Sequence, residues 1–149
     1  SLFISELLYK TIRESEENRE LFRFVTNTIQ ELDRAGKELP DLHLYFAVRL
    51  CRYLGYAPGT ESFSTERIFF YIAKACFCDT PDLSPGAFDK EDSLLLQQIL
   101  SCPAGEIRPL SCSGSRRHHF LNSLMSYYGY HLGKTPQIRS LEVLHQVFL

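Results

Sequence analysis

Cysteine is the residue type in this chain best suited to metal or redox chemistry, but its spacing argues against both. The cysteines are Cys51, Cys76, Cys78, Cys102 and Cys112. A structural zinc site usually takes two close cysteine pairs, with a gap of about two residues inside each pair. Here only one residue separates Cys76 from Cys78, and the others are scattered. We therefore interpret all of them as small buried apolar residues, reduced in a cytosolic protein, and predict no metal and no cofactor.

A basic cluster, Arg116-Arg117-His118-His119, stands at the start of a predicted helix that contains no Asp or Glu. Neighbouring helical residues point to different sides, so the two imidazoles cannot readily share a metal ion. We interpret the cluster as a solvated basic helix start. The alternative is a site for a phosphate or carboxylate partner, on which the guanidinium groups and the unpaired N–H groups of the first turn would converge.

A second pair, Arg49 and Arg52, is three residues apart on another predicted helix and therefore lies on one face. Two interpretations stay open. In the first, the aliphatic stems cover the edge of the core while the charges stay in water. In the second, the arginines form the rim of an apolar groove that suits a short peptide with an apolar residue and acids. Together with Arg116 and Arg117, they are the candidate partner-binding residues.

No arrangement of residues indicates catalysis. His43 and His131 stand on apolar helices, where a histidine is usually a core or boundary residue with one hydrogen bond. No serine, cysteine or carboxylate is spaced to form a triad with them, and no glycine-rich loop could cradle a phosphate. We predict no catalytic residue and no enzyme activity.

The elements that must position these residues are mostly helices. An apolar stripe in residues 19–35 predicts an amphipathic helix with one buried face, made by Leu21, Phe22, Val25, Thr28, Ile29 and Leu32. Further helices are predicted over 2–14, 41–54, 89–100, from Ser113 or Ser115 to Gly133, and over 140–148. Residues 68–72 and 76–78 predict a β-hairpin, with a short helix over 68–75 as the alternative. The fold class is thus all-α, with about six helices and a small hairpin.

Composition narrows the class of protein. The net charge of −2 excludes a generic nucleic-acid binder. Residues 104–149 carry five Lys or Arg and two Asp or Glu, a net charge of +3, which reflects either solvated helix faces or a weakly basic surface for an acidic partner. No apolar run reaches the ~20 residues needed to span a membrane, and no secretory signal opens the chain.

The length of 149 residues suits one domain over 1–149. The chain begins inside an apolar pattern, and its only methionine is Met125. We therefore expect it to be a fragment of a longer protein.

Several stretches resemble, in order and spacing, the C-terminal helical domain of the bacterial recombination mediator family RecO, in its Bacteroidetes-like branch. They are Phe46-Ala47-Val48-Arg49-Leu50-Cys51-Arg52-Tyr53-Leu54-Gly55-Tyr56, Cys76-Phe77-Cys78-Asp79-Thr80-Pro81, His131-Leu132-Gly133 and Ser140-Leu141-Glu142-Val143-Leu144. The resemblance implies a preceding DNA-binding OB-fold domain that is not present in this chain. It also implies a non-enzymatic, cytoplasmic, nucleoid-associated protein of DNA repair and recombination.

Three partners follow from the resemblance. They are DNA, the protein RecR, with which the family helps to load RecA, and the acidic, apolar C-terminal tail of single-strand-binding protein, which docks on the helical domain. The alternative function is an accessory DNA-binding domain that uses the basic C-terminal third.

The chain departs from the family pattern at two places. Residues 60–64 lack the first cysteine pair of the zinc ribbon that many members carry, so we predict that the ribbon is absent. The basic residues that some members place before the phenylalanine of the third helix are replaced by Leu44 and Tyr45. We expect Arg49 and Arg52, or the Arg116-Arg117 cluster, to substitute for them.

Overall fold

The computed structural model describes residues 2–11, 19–35 and 41–133, and within them a mostly helical fold with one β-hairpin. The elements are α1 (Leu2–Thr11), α2 (Arg19–Ala35), α3 (Leu42–Leu54), β1 (Phe69–Tyr71), β2 (Cys76–Cys78), α4 (Lys90–Ser101) and α5 (Gly114–Leu132). These elements confirm the predicted fold class. The sixth predicted helix, over 140–148, lies outside the described residues.

Helix α3 is the centre of the core. Its sequence is apolar on more than one side, as is typical of a helix covered by others, and α1, α2, α4 and α5 all contact it. Gly55 ends the helix in a left-handed conformation with φ of 94°. The N–H groups of Gly55 and Tyr56 then donate to the carbonyl groups of Arg52 and Cys51, which satisfies the last turn of the helix.

Helix α2 has the predicted bounds, but the predicted buried stripe is wrong in part. Phe22 and Ile29 are 74% and 51% exposed, whereas Phe24 points inward. The ring of Phe24 stacks on Phe46, with centroids 5.1 Å apart, and on Tyr53, at 4.6 Å. These two rings are the aromatic surface of α3 that α2 contacts. As a result, the face of α2 that is turned toward α3 differs from the face that its hydrophobic periodicity predicts.

The hairpin is confirmed, and the alternative of a helix over 68–75 is wrong. Strands β1 and β2 are antiparallel, and Phe70 pairs with Phe77. Both rings are buried against the helices, which a two-stranded sheet needs for stability. Serine side chains satisfy the strand backbone where no further strand is present: the N–H groups of Phe70 and Phe77 donate to Ser93 Oγ and Ser62 Oγ, at 3.0 and 2.7 Å.

Helices α4 and α5 begin at side-chain caps. Asp89 accepts a hydrogen bond from the N–H of Asp92 at 2.8 Å, and Ser113 accepts one from the N–H of Arg116 at 3.1 Å. Each cap satisfies one of the N–H groups that have no partner within the helix. Of the two predicted caps for α5, Ser113 is therefore the one used.

Helix α4 buries only part of its apolar sequence. Leu94 is 36% exposed. The buried face of α4 consists instead of Leu95, Leu96 and Ile99, because α3 and α5 cover that side of the helix.

The turn before α4 lies directly against α5. Gly86 has φ of +74°, and a Cβ atom placed on it would lie 2.4 Å from Oγ and 3.0 Å from Cβ of Ser126. Rotation of the serine side chain would move its Oγ away but not its Cβ. Only glycine therefore fits this approach without a shift of the backbone.

We expect Gly86→Ala to lower the free energy of unfolding by about 1–3 kcal/mol more than Gly105→Ala does, because of overpacking. Gly105 is a matched control, since it also has a positive φ, +83°, but an added Cβ would meet no atom within 4 Å. Urea unfolding of the two variants measures the difference. Equal losses would show that the turn does not press on α5.

Candidate functional site, a groove beside the central helix

A groove of about 640 Å³ runs along α3, between α2 and the segment that follows α4. Helix α2 contributes one wall with Arg23 and Phe24, and α3 contributes the floor with Phe46, Arg49, Arg52 and Tyr53. The opposite wall consists of Ile99 and Leu100 at the end of α4, and then Ala104, Gly105 and Ile107.

The floor of the groove is apolar and aromatic. Phe24 is stacked against Phe46 and Tyr53, and it is only partly covered. Leu100 and Ile107 are likewise partly buried and pack on the core. An apolar side chain from outside would therefore meet a surface that is already shaped by packed rings and aliphatic groups.

Arg49 contacts the segment after α4 rather than open solvent. Its Nη2 donates to the carbonyl oxygens of Pro103 and Glu106, at 3.1 and 2.6 Å. The guanidinium carbon lies 4.9 Å from the centroid of the Tyr45 ring, close enough for a cation–π interaction. The sequence left open whether Arg49 covers the core edge or forms the rim of a groove. In the structure it lies at the groove, and its guanidinium group is hydrogen-bonded to the backbone of the wall.

Tyr45, one turn before Arg49 on α3, contacts the same segment. Its hydroxyl donates to the carbonyl oxygen of Arg108 at 2.8 Å and accepts from the N–H of Arg108 at 3.3 Å. Burial raises the pKa of Tyr45, so its hydroxyl stays protonated at neutral pH. Two side chains on one face of α3 thus hold the wall in place.

Arg23 and Arg52 are the exposed cations of the groove. One lies on α2 and the other on α3, and neither has a hydrogen-bond or ion-pair partner among residues 2–11, 19–35 and 41–133. Two acids of α2, Glu20 and Glu31, also line the groove. The lining therefore contains three arginines, Arg23, Arg49 and Arg52, and two glutamates, which gives it a net charge of +1.

Sequence reasoning missed Arg23. The predicted buried stripe of α2 included Phe22 and excluded Phe24, which put Arg23 away from the protein. Had the ring of Phe24 been recognised as the inward group, Arg23, the residue beside it, would have been placed at the edge of the contact with α3.

The other two candidate arginines lie away from the groove and pair with carboxylates of other elements. Arg116 bonds to Asp89 at 2.8 Å, Glu91 at 2.9 Å and Asp92 at 3.0 Å. Arg117 bonds to Asp41 at 2.8 Å. The interpretation of this segment as a solvated basic helix start is therefore wrong.

A buried carboxylate explains the position of Arg116. Asp92 is fully buried. Its carboxylate also accepts a hydrogen bond from Ser123 Oγ at 2.8 Å and lies 2.6 Å from His119 Nδ1. A buried charge is tolerated only when it is paired and hydrogen-bonded. These contacts join the start of α4 to α5, which no helical period within α5 could have indicated.

Asp89 is held by the same cluster. Burial opposes its ionisation, but the N–H of Asp92 and the guanidinium group of Arg116 outweigh that effect and lower the pKa of Asp89 below its ordinary value. The pKa of Arg116 is raised in turn, chiefly by its hydrogen bond to Asp89.

Asp89, Asp92 and His119 are the one group of three possible metal ligands in the described part of the chain, with ligand atoms within 4.8 Å of one another. The guanidinium group of Arg116 already supplies the cation that these groups need. The arrangement is therefore suited to joining two helices.

The prediction that all five cysteines are buried is wrong in part: Cys51 and Cys102 are buried, whereas Cys76, Cys78 and Cys112 are only partly buried. Cys51 is fully buried, and burial raises its pKa to about 12, so that the thiol stays protonated at neutral pH. Cys76 and Cys78 flank the buried Phe77 on β2. His131 stacks on Tyr56 at the boundary of the core, and its Nε2 lies 3.1 Å from the carbonyl oxygen of Ile72.

None of the described helices is long and apolar enough to cross a membrane.

Comparison with known proteins gives a match over nearly the whole chain. The family model for "Recombination protein O C terminal" matches residues 1–142. A DNA repair protein RecO of Phocaeicola vulgatus is 30% identical over 148 residues, which cover 99% of this chain and 61% of that protein. The proteins of the same name from Bacteroides fragilis and Flavobacterium psychrophilum are each 28% identical, over 99% of this chain and 61% and 60% of those proteins.

This chain thus spans about three fifths of the length of the curated relatives it matches. No solved structure matches it.

The buried contact between Arg116 and Asp92 leads to a prediction about stability. We expect Arg116→Ala to lower the free energy of unfolding by roughly 3 kcal/mol, because a buried carboxylate loses its charged partner. The control is Arg34→Ala, which removes an exposed pair with Glu31 and should cost less than about 0.5 kcal/mol. Urea unfolding measures both variants, and similar losses would mean that Asp92 does not depend on Arg116.

Proposed function

Because this chain belongs to the family of the C-terminal domain of recombination protein O, we propose that it is the helical part of a protein that acts in DNA repair and homologous recombination. The curated relatives are named DNA repair protein RecO, and the match covers 99% of this chain. The proposal extends to a non-enzymatic role in the cytoplasm near DNA, with RecR as a partner in loading RecA. These finer features rest on the family resemblance alone.

Within that role, the groove is a docking site for the acidic, apolar C-terminal tail of single-strand-binding protein. The observation that carries this proposal is the combination of an aromatic floor with two cations, Arg23 and Arg52, that have no partner in the described part of the protein. An apolar side chain of the tail would lie over Phe24 and Tyr53. Its carboxylates would pair with the arginines in charge-assisted hydrogen bonds.

The expected affinity follows from the size of the site. A short peptide in one groove usually binds with micromolar affinity, about −8 kcal/mol. The arginines are exposed, so salt will screen their attraction for the tail. Binding should therefore weaken as ionic strength rises, while the contribution of the aromatic floor should remain.

The alternative function, direct DNA binding through the basic C-terminal third, has weaker support. Two of the five basic residues of 104–149, Arg116 and Arg117, are paired with buried or partly buried carboxylates of the same chain. Phosphate contacts by these side chains would leave Asp92 and Asp41 without their cations. Measurement of binding to single-stranded DNA at two salt concentrations tests this alternative, because phosphate contacts predict a steep loss with salt.

Docking on the groove can be tested by charge reversal. We expect Arg52→Glu and Arg23→Glu each to raise the Kd of a fluorescent tail peptide about tenfold or more, a loss of about 1.4 kcal/mol, because each places a negative charge beside the acids of the tail. Fluorescence anisotropy at low and moderate salt gives the Kd.

The control variant is Arg67→Glu, which makes the same charge change at an exposed arginine outside the groove. A tail peptide with amides in place of its acidic side chains controls for apolar binding. Equal effects of the three reversals would place the peptide elsewhere, and absence of saturable binding by the unaltered protein at high micromolar concentration would reject the docking function.

A further inference from the structure

We infer that Arg49 is a positioning residue of the groove: it holds residues 103–108 as the second wall and leaves the acids of the ligand to Arg23 and Arg52. This inference rests on the proposed docking function. It assigns different roles to Arg49 and Arg52, which the sequence had treated as a pair.

The hydrogen bonds of Arg49 are the first observation. An arginine holds a carboxylate in a fork that uses Nη2 together with either Nε or Nη1. In this structure, Nη2 of Arg49 donates to both Pro103 and Glu106. Because Nη2 already has two carbonyl acceptors, a fork to a carboxylate of the ligand would compete with the hydrogen bonds that Arg49 makes to the wall.

The wall itself needs this support. Residues 103–108 form no helix or strand, and most of their side chains are exposed. Two contacts join residues of the segment to each other: the N–H of Glu106 donates to the carbonyl oxygen of Pro103, and the Glu106 side chain pairs with Arg108. Neither contact joins the segment to a helix. The segment packs on the core through Ile107. Its hydrogen bonds to α3 come from Arg49 and Tyr45, and Cys102 Sγ, just before the segment, lies 3.5 Å from the carbonyl oxygen of Glu106.

The position of the wall decides the shape of the groove. Ala104, Gly105 and Ile107 line the groove opposite α2. If Arg49 or Tyr45 loses its bonds, these residues are no longer fixed across from Phe24. An apolar side chain of the ligand then loses contact on one side, and the ligand must order the segment when it binds.

Two kinds of variant separate a positioning role from a charge role. Arg52→Gln removes a cation that contacts the ligand, so binding should weaken and its salt dependence should become shallower. Tyr45→Phe removes only the hydroxyl group that bonds to Arg108 and changes no charge. Arg49→Lys keeps the charge but cannot reproduce the planar contact with two carbonyl groups.

The experiment measures the Kd of the tail peptide at several salt concentrations, together with hydrogen–deuterium exchange of residues 103–108 in the absence of peptide. We expect Tyr45→Phe and Arg49→Lys each to raise the Kd about tenfold, with the salt dependence of the unaltered protein and faster exchange in this segment. Arg52→Gln should raise the Kd and flatten the salt dependence without affecting exchange.

The outcomes distinguish this inference from the docking function. Unchanged exchange in both wall variants, or normal affinity despite faster exchange, would overturn the positioning role while docking stands. Absence of tail binding by the unaltered protein would overturn both. Since Tyr45→Phe retains the buried ring, it tests whether binding needs a fixed wall even if an Arg49 variant folds poorly, and normal affinity of that variant despite faster exchange would overturn the inference.

Discussion

Helix α3 is buried on most of its circumference, and this constraint decides where the other elements lie. Its buried residues are Leu42, Leu44, Tyr45, Phe46, Ala47, Val48, Leu50 and Cys51. A helix with apolar groups on several sides is stable only when neighbours cover each side, and α1, α2, α4 and α5 provide that cover. The cover is incomplete where α2 and the segment after α4 diverge. The groove is this gap, and the arginines of α3 stand along it.

The cost of burying charge sorts the arginines into two roles. Asp41 and Asp92 are almost completely removed from water, so each requires a cation, and Arg117 and Arg116 supply them. These arginines are therefore committed to joining distant parts of the chain. Arg23 and Arg52 meet no such carboxylate in the described part of the protein and remain available to an acidic partner. Arg49 stands between these roles, because its partners are backbone carbonyl groups.

The same reliance on polar side chains is seen at the hairpin. A two-stranded sheet has two open edges, and here Ser62 and Ser93 accept hydrogen bonds from the strands while Asp82 Oδ2 accepts one from the N–H of Ile72. These contacts, with the buried Phe70 and Phe77, stabilise a hairpin that would be marginal alone. The hairpin thereby becomes part of the core beside α4.

The sequence by itself determined that each of the five described helices is present, and where most of them begin or end. Apolar periodicity, the cap Asp89 and the stop at Gly55 are local properties, because backbone conformation and N–H satisfaction depend on residues within one or two turns. It left Ser113 and Ser115 as alternative starts of α5. The choice between hairpin and helix over 68–75 stayed open, since short aromatic runs suit both. Only the tertiary structure decided the phase of α2, the pairing of Arg116 with Asp92, and the place of Arg23 beside the groove. Stacking of Phe24 on Phe46 and pairing of buried charges join residues far apart in the chain, and no local pattern encodes such contacts.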